Sequence, residues 1–145
     1  PIMRQLSFIY IDLGETEKAI NLSKSLIEKY SEDPDLYYNL AVIYQRISLD
    51  EYYSSIEKFN NLMNANEQEK INQIPKLYND FLNSRGNAKK SRVNFLSSSD
   101  LSIDEKSAKD CSEASKETRK IIRQIDDALL PSLVEESKKL NIILE

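Results

Sequence analysis

Apolar side chains recur at helical spacing along nearly the whole chain. Leu6, Tyr10 and Leu13 step by four and three residues, and Leu22, Leu26 and Ile27 continue the stripe on the next segment. Leu36, Leu40, Ile43, Tyr44 and Ile47 repeat it, followed by Ile56, Phe59 and Leu62. Further on, Cys111, Ala114, Ile121, Ile122, Ile125 and Leu129 share one side of a helix, with Leu133, Val134, Leu140 and Ile143 beyond Pro131. The pattern predicts an all-α, nearly strand-free fold. Its helices fall near residues 2–13, 16–30, 34–47, 50–64, 70–83, 102–130 and 131–144.

The punctuation between these stripes is specific. Gly14 permits a tight turn. Asp33 suits an N-cap and Pro34 a first helical position. Ser48-Leu49-Asp50-Glu51 and Ser102-Ile103-Asp104-Glu105 each read as a capping box opening a helix. Asn83 to Asn87 reads as a turn and Ser97 to Asp100 as a loop. Pro75 and Pro131 predict a helix start or kink. Two glycines and four prolines in 145 residues are too few for a turn-rich sheet protein.

A longer period overlies the helical one. Tyr10, Tyr44 and Tyr78 stand 34 residues apart, as do Leu6, Leu40 and Ile74, and Leu13, Ile47 and Phe81. Small residues, Ser7 and Ala41, follow the first two leucines. This arrangement resembles the tetratricopeptide repeat, and Leu13-Gly14-Glu15-Thr16-Glu17-Lys18-Ala19-Ile20 looks like that family's turn and second-helix start. The resemblance implies helical hairpin repeats, with two units over 1–64, a degenerate third unit with a basic turn over 65–97, and a long kinked C-terminal helical segment over 98–145 that caps the stack. Pro75 departs from the family by standing where a small residue is wanted.

The resemblance also implies a function. First helices of such repeats line a concave groove for a partner's peptide or helix. The groove-facing positions are Arg4, Phe8, Ile11 and Asp12, then Tyr38, Val42, Gln45 and Arg46, with Asn72, Lys76 and Asn79 from the third unit. Phe8 stands where the chaperone-tail-binding subclass has an asparagine, which disfavours a carboxylate clamp. The expected partner is therefore a protein or peptide with apolar anchors. The alternative is a structural piece that packs on its own parent chain or self-associates through the C-terminal helix, as a monomer or weak homodimer.

Composition narrows the chemistry. No histidine occurs, which removes Ser-His-Asp and Cys-His catalysis and His-ligated metal sites. The one cysteine, Cys111, lies on the apolar side of its helix and reads as core; the sequence calls for no enzyme activity, cofactor or metal. Net charge is −4, which disfavours nucleic acid. No apolar run approaches the roughly 20 residues of a membrane helix. The repeat is already under way at Pro1, so the chain reads as a piece of a longer protein, expected to be cytoplasmic, or alternatively an extracytoplasmic part of a longer bacterial one. Arg85, Lys89, Lys90 and Arg92 cluster within eight residues; a solvated face is the plain reading, an acidic partner or lipid headgroup the sharper one. Tyr38, Tyr52 and Tyr53 are the tyrosines expected at the surface.

Overall fold

The computed structural model describes residues 2–144, with the side chains of Met3 and Arg4 outside that description. Among the described residues every regular element is helical. Helix α1 (Ile2–Asp12) and helix α2 (Thr16–Lys29) form a hairpin. The turn between them closes as expected on glycine. Gly14 has φ +76°, its N–H donates to the Ile11 carbonyl, and the Glu15 N–H donates to the Tyr10 carbonyl at 2.7 Å. This satisfies the carbonyls left open at the end of α1. Asp33 then caps α3 (Pro34–Met63) by accepting from the Asp35 N–H, with Pro34 opening the helix.

Beyond this point the helices are longer than the punctuation predicts. The break expected at Ser48–Asp50 is absent, and α3 runs 30 residues without interruption. Helix α4 (Glu67–Leu101) is 35 residues long and passes through Pro75, the turn expected at 83–87 and the loop expected at 97–100. They extend about 45 Å and about 53 Å at 1.5 Å per residue. Tertiary contacts decide this. Ile74, Leu77, Phe81, Ser84, Ala88, Ser91, Phe95 and Ser98 are all buried, in strict three–four alternation, which is one continuous heptad seam. On α3, Ala41, Ser48, Ser55 and Leu62 are buried seven residues apart. Ser48 does not cap a helix; its hydroxyl crosses to α4 and donates to the Ser84 carbonyl. Likewise Ser91 donates to the Ala41 carbonyl at 2.7 Å. These pairings fix α3 and α4 as antiparallel neighbours at close range. Local turn preference of Asn83–Asn87 is outweighed by burial of Ser84 within it and Ala88 next to it. Only the first of the 34-residue units contains a helical turn between two helices.

The third long element begins at Glu105, not Ser102. Asp104 is the N-cap, accepting from both the backbone N–H and the hydroxyl of Ser107. Helix α5 (Glu105–Gln124) leads through a π-helical segment, Ile125–Leu129, into α6 (Leu130–Lys139). The kink expected at Pro131 takes the form of this widened turn, in which the Leu130 N–H reaches the Ile125 carbonyl. Proline has no N–H for the ladder, and the π turn lets its ring follow without a break. The extra residue also moves the apolar seam from Ile121 and Ile125 to Leu129, Leu130 and Leu133, all buried. Asn141, at φ 54°, ends α6 as Gly14 ends α1, with the Ile142 N–H donating to the Ser137 carbonyl.

This C-terminal element runs the length of α4. Cys111 Sγ bonds Ser98, Arg85 pairs with Asp126 at 2.6 Å, and Lys70 pairs with Glu136. It also reaches α3, where Gln45 donates to the Ala114 carbonyl and the Tyr52 hydroxyl donates to Gln124. α3, α4 and the C-terminal element thus form a three-helix bundle, with the α1/α2 hairpin against the first half of α3. The main core joins Tyr52, Leu62, Ile74, Leu77, Phe81 and Ala88 to Ile121, Ile125, Leu129, Leu130 and Leu133. Tyr52, expected at the surface, is part of it; Tyr53 is exposed.

Candidate functional site

The expected groove positions fall on the first half of α3 and on α1. On a helix, residues three and four apart share a face. Val42 therefore stands between Tyr38 on one side and Arg46 and Gln45 on the next turn. Each of these three neighbours is engaged within the fold. Tyr38 meets Phe95 of α4 edge to face, with ring centroids 5.4 Å apart. Gln45 Nε2 donates to the Ala114 carbonyl of α5 at 2.9 Å. Arg46 pairs with Asp12 of α1 at 2.8 Å, with both side chains about half exposed. Gln45 thus leans to α5 and Arg46 to α1, and Val42, partly buried, lies between them.

α1 and α5 both lie against α3, yet make no contact with each other among the described residues. The strip of α3 around Val42 therefore has a helix on either side, with Arg46 reaching α1 and Gln45 reaching α5. Phe8 precedes Asp12 by one turn on the same face of α1 and is partly buried. Ile11 shares its face with the buried Ser7 and turns toward the hairpin interior. Arg4 lies on α1, but its side chain is outside the described residues.

The third-unit positions do not join this strip. Lys76 and Asn79 sit at the far end of the bundle, where they line a cleft of about 720 Å³ with Leu62, Ala65 and Leu77. The single long α4 carries them away from Tyr38 and Val42. What replaces them is α5, which sequence reasoning set at the end of the stack. The heptad seam of α4 signals a close helix neighbour, but its small residues Ser84 and Ser91 are met by α3, not α5.

Electrostatic features lie mostly away from Val42. Burial pushes the Glu51 carboxyl above its usual range, opposed by the Asn87 amide, which donates to both its oxygens. Cys111 is a buried free thiol, as expected for a core residue. Among the described residues, no group of three His, Cys, Asp or Glu side chains is arranged to hold a metal ion, and no helix is long and apolar enough to cross a membrane. In the basic cluster, Arg85 is taken up by Asp126, and Lys90 lies over the Tyr44 ring at 5.6 Å. No family model matches the chain, and neither does any curated protein or solved structure.

Proposed function

We propose that this chain is a protein-interaction module, built from a tetratricopeptide-like hairpin on a three-helix bundle, that receives a peptide or helix of a partner in the channel over Val42. The observation that carries the reading is the separation of α1 from α5 across α3. It leaves a strip with an apolar floor and polar margins at Asp12, Gln45 and Arg46, the arrangement that suits apolar anchors inside a polar rim. Because Gln45 and Arg46 already have partners, recognition rests on Phe8, Tyr38 and Val42, with the two polar residues shaping the rim. The test is a photo-activatable side chain at Val42, compared with one at Asn60 on the far half of α3. A discrete adduct from position 42 alone, suppressed by excess unlabelled protein, supports the channel. Matching adducts from both positions count against it.

A second reading, packing on another segment of the parent chain or another copy, has its own support. Ile2 and Ile9 of α1 and Leu13 just beyond its end are 80%, 50% and 70% exposed. An apolar helix face left open in this way suits a further helix. Sedimentation across a hundredfold concentration range, with Ile9→Glu as control, tests it: association abolished by the substitution favours assembly.

A further inference from the structure

We propose that the cleft between α4 and α5 is an oxyanion site that takes phosphate or a small phosphomonoester between Arg92 and Arg119. The two helices run antiparallel in fixed register. Arg85 of α4 faces Asp126 beyond α5 and bonds it at 2.6 Å. Seven residues further along α4 stands Arg92, and seven residues earlier on the partner helix stands Arg119. Where the first pair is arginine and aspartate, the second is arginine and arginine. Both line one cleft of about 160 Å³, together with Ser99, Ser112 and Ser115. That space is several times the roughly 30 Å³ share of a water molecule.

No carboxylate lines the cleft. Among the described residues neither guanidinium has an ion-pair or hydrogen-bond partner, and Glu113, the acid closest in sequence to the serines of α5, is paired with Lys116. Two like charges facing across a seam repel unless an anion lies between them. A tetrahedral dianion fits that need. Each guanidinium presents a planar fork of N–H donors suited to two phosphate oxygens, and the hydroxyls of Ser99 and Ser112 supply further donors, that of Ser115 being given to the Ser112 carbonyl. The site stands on α4 and α5 and does not depend on the channel over Val42.

Thermal unfolding of the whole chain in chloride-only buffer, then with inorganic phosphate or glycerol phosphate at matched ionic strength, tests the proposal. At tenfold excess over the dissociation constant, the midpoint of the wild type should rise by about 3–6 °C. In Arg119→Gln the chloride-only midpoint should be above that of the wild type, because the repulsion is gone, and the phosphate-dependent rise should be lost. Arg92 is exposed, so Arg92→Gln repeats the test at a position that folding tolerates. A rise with inorganic phosphate alone assigns a free-ion site, and a rise with both assigns a phosphomonoester site. No rise with either ligand, or an equal rise in wild type and both variants, overturns the proposal.

Discussion

Ser48 and Ser84 each donate a hydroxyl hydrogen bond to the other's backbone carbonyl, at 2.8 and 2.9 Å, across the seam between α3 and α4. A serine side chain is short, so this reciprocity requires the two backbones to lie close together. Ser91 repeats the contact one heptad away, on the Ala41 carbonyl. Small residues at these positions set the distance between the long helices, and the large ones, Ile74, Leu77, Phe81 and Phe95, fill the space beside them. Ser84→Ala is expected to cost about 1 kcal/mol, one buried hydrogen bond. Ser84→Leu is expected to cost more, at least about 1–3 kcal/mol, by forcing the helices apart. Urea unfolding of both variants checks the order; a leucine variant as stable as the alanine one would refute close approach.

The same seam explains what could and could not be read from the sequence. Helix class, the Gly14 turn and the Asp33–Pro34 start depend on neighbours within a few residues, and all are found where expected. Ala19, Leu40, Ala41 and Tyr44 are buried as the periodicity requires, while Leu6 and Tyr10 are partly so. Ser48-Leu49-Asp50-Glu51 and Asn83–Asn87 misled because their local preferences are real but weak. A buried serine bonding across helices looks, in sequence, the same as a serine capping one. Of the strip around Val42, only the α3 and α1 positions were legible. The neighbouring helix α5 is brought there by contacts such as Gln45 to Ala114, some 69 residues apart, that no local signal records.

The two glycines should respond in opposite directions to alanine. A Cβ added at Gly86 meets nothing within 4 Å, and its backbone is helical. Gly86→Ala is expected to stabilise the fold by about 0.5–1 kcal/mol. Gly14 also has open space, but its φ of +76° is left-handed. Gly14→Ala is expected to destabilise by about 1–2 kcal/mol. Paired denaturation curves decide it, and two shifts of the same sign would contradict the assigned backbone.

Glu51 should make stability depend on pH in a defined direction. Its folded-state carboxyl is raised, first by desolvation and then by Asp80 and Asp50, although the Asn87 amide opposes this. A raised carboxyl holds its proton longer in the folded state than in the unfolded one. Its contribution is therefore favourable below the unfolded value near 4.5 and is lost as pH rises through the folded value. Glu51→Gln keeps an acceptor for Asn87 and removes the charge. It is expected to be more stable than the wild type at pH 7, with the gap closing by pH 4. A gap that widens on acidification would reverse the assignment.

The C-terminal element should be indispensable to the bundle, since Leu133 is fully buried among residues of α3 and α4. Leu133→Ala is expected to cost about 2–5 kcal/mol through lost contacts and a cavity. Calorimetry should show one transition moved to lower temperature. A low-temperature transition of the C-terminal part alone, with the remainder unaltered, would make that element an independent appendage.

The central functional claim is that partners enter between α1 and α5 over Val42, and the most direct measurement is partner capture by the Phe8→Ala/Val42→Asp double variant. Neither residue is in the main core, so helix content and unfolding midpoint should remain close to those of the wild type. The account predicts that, with the fold verified in this way, proteins crosslinked to position 42 of the wild type are lost from the variant. Undiminished capture of those same proteins by the folded variant would contradict it.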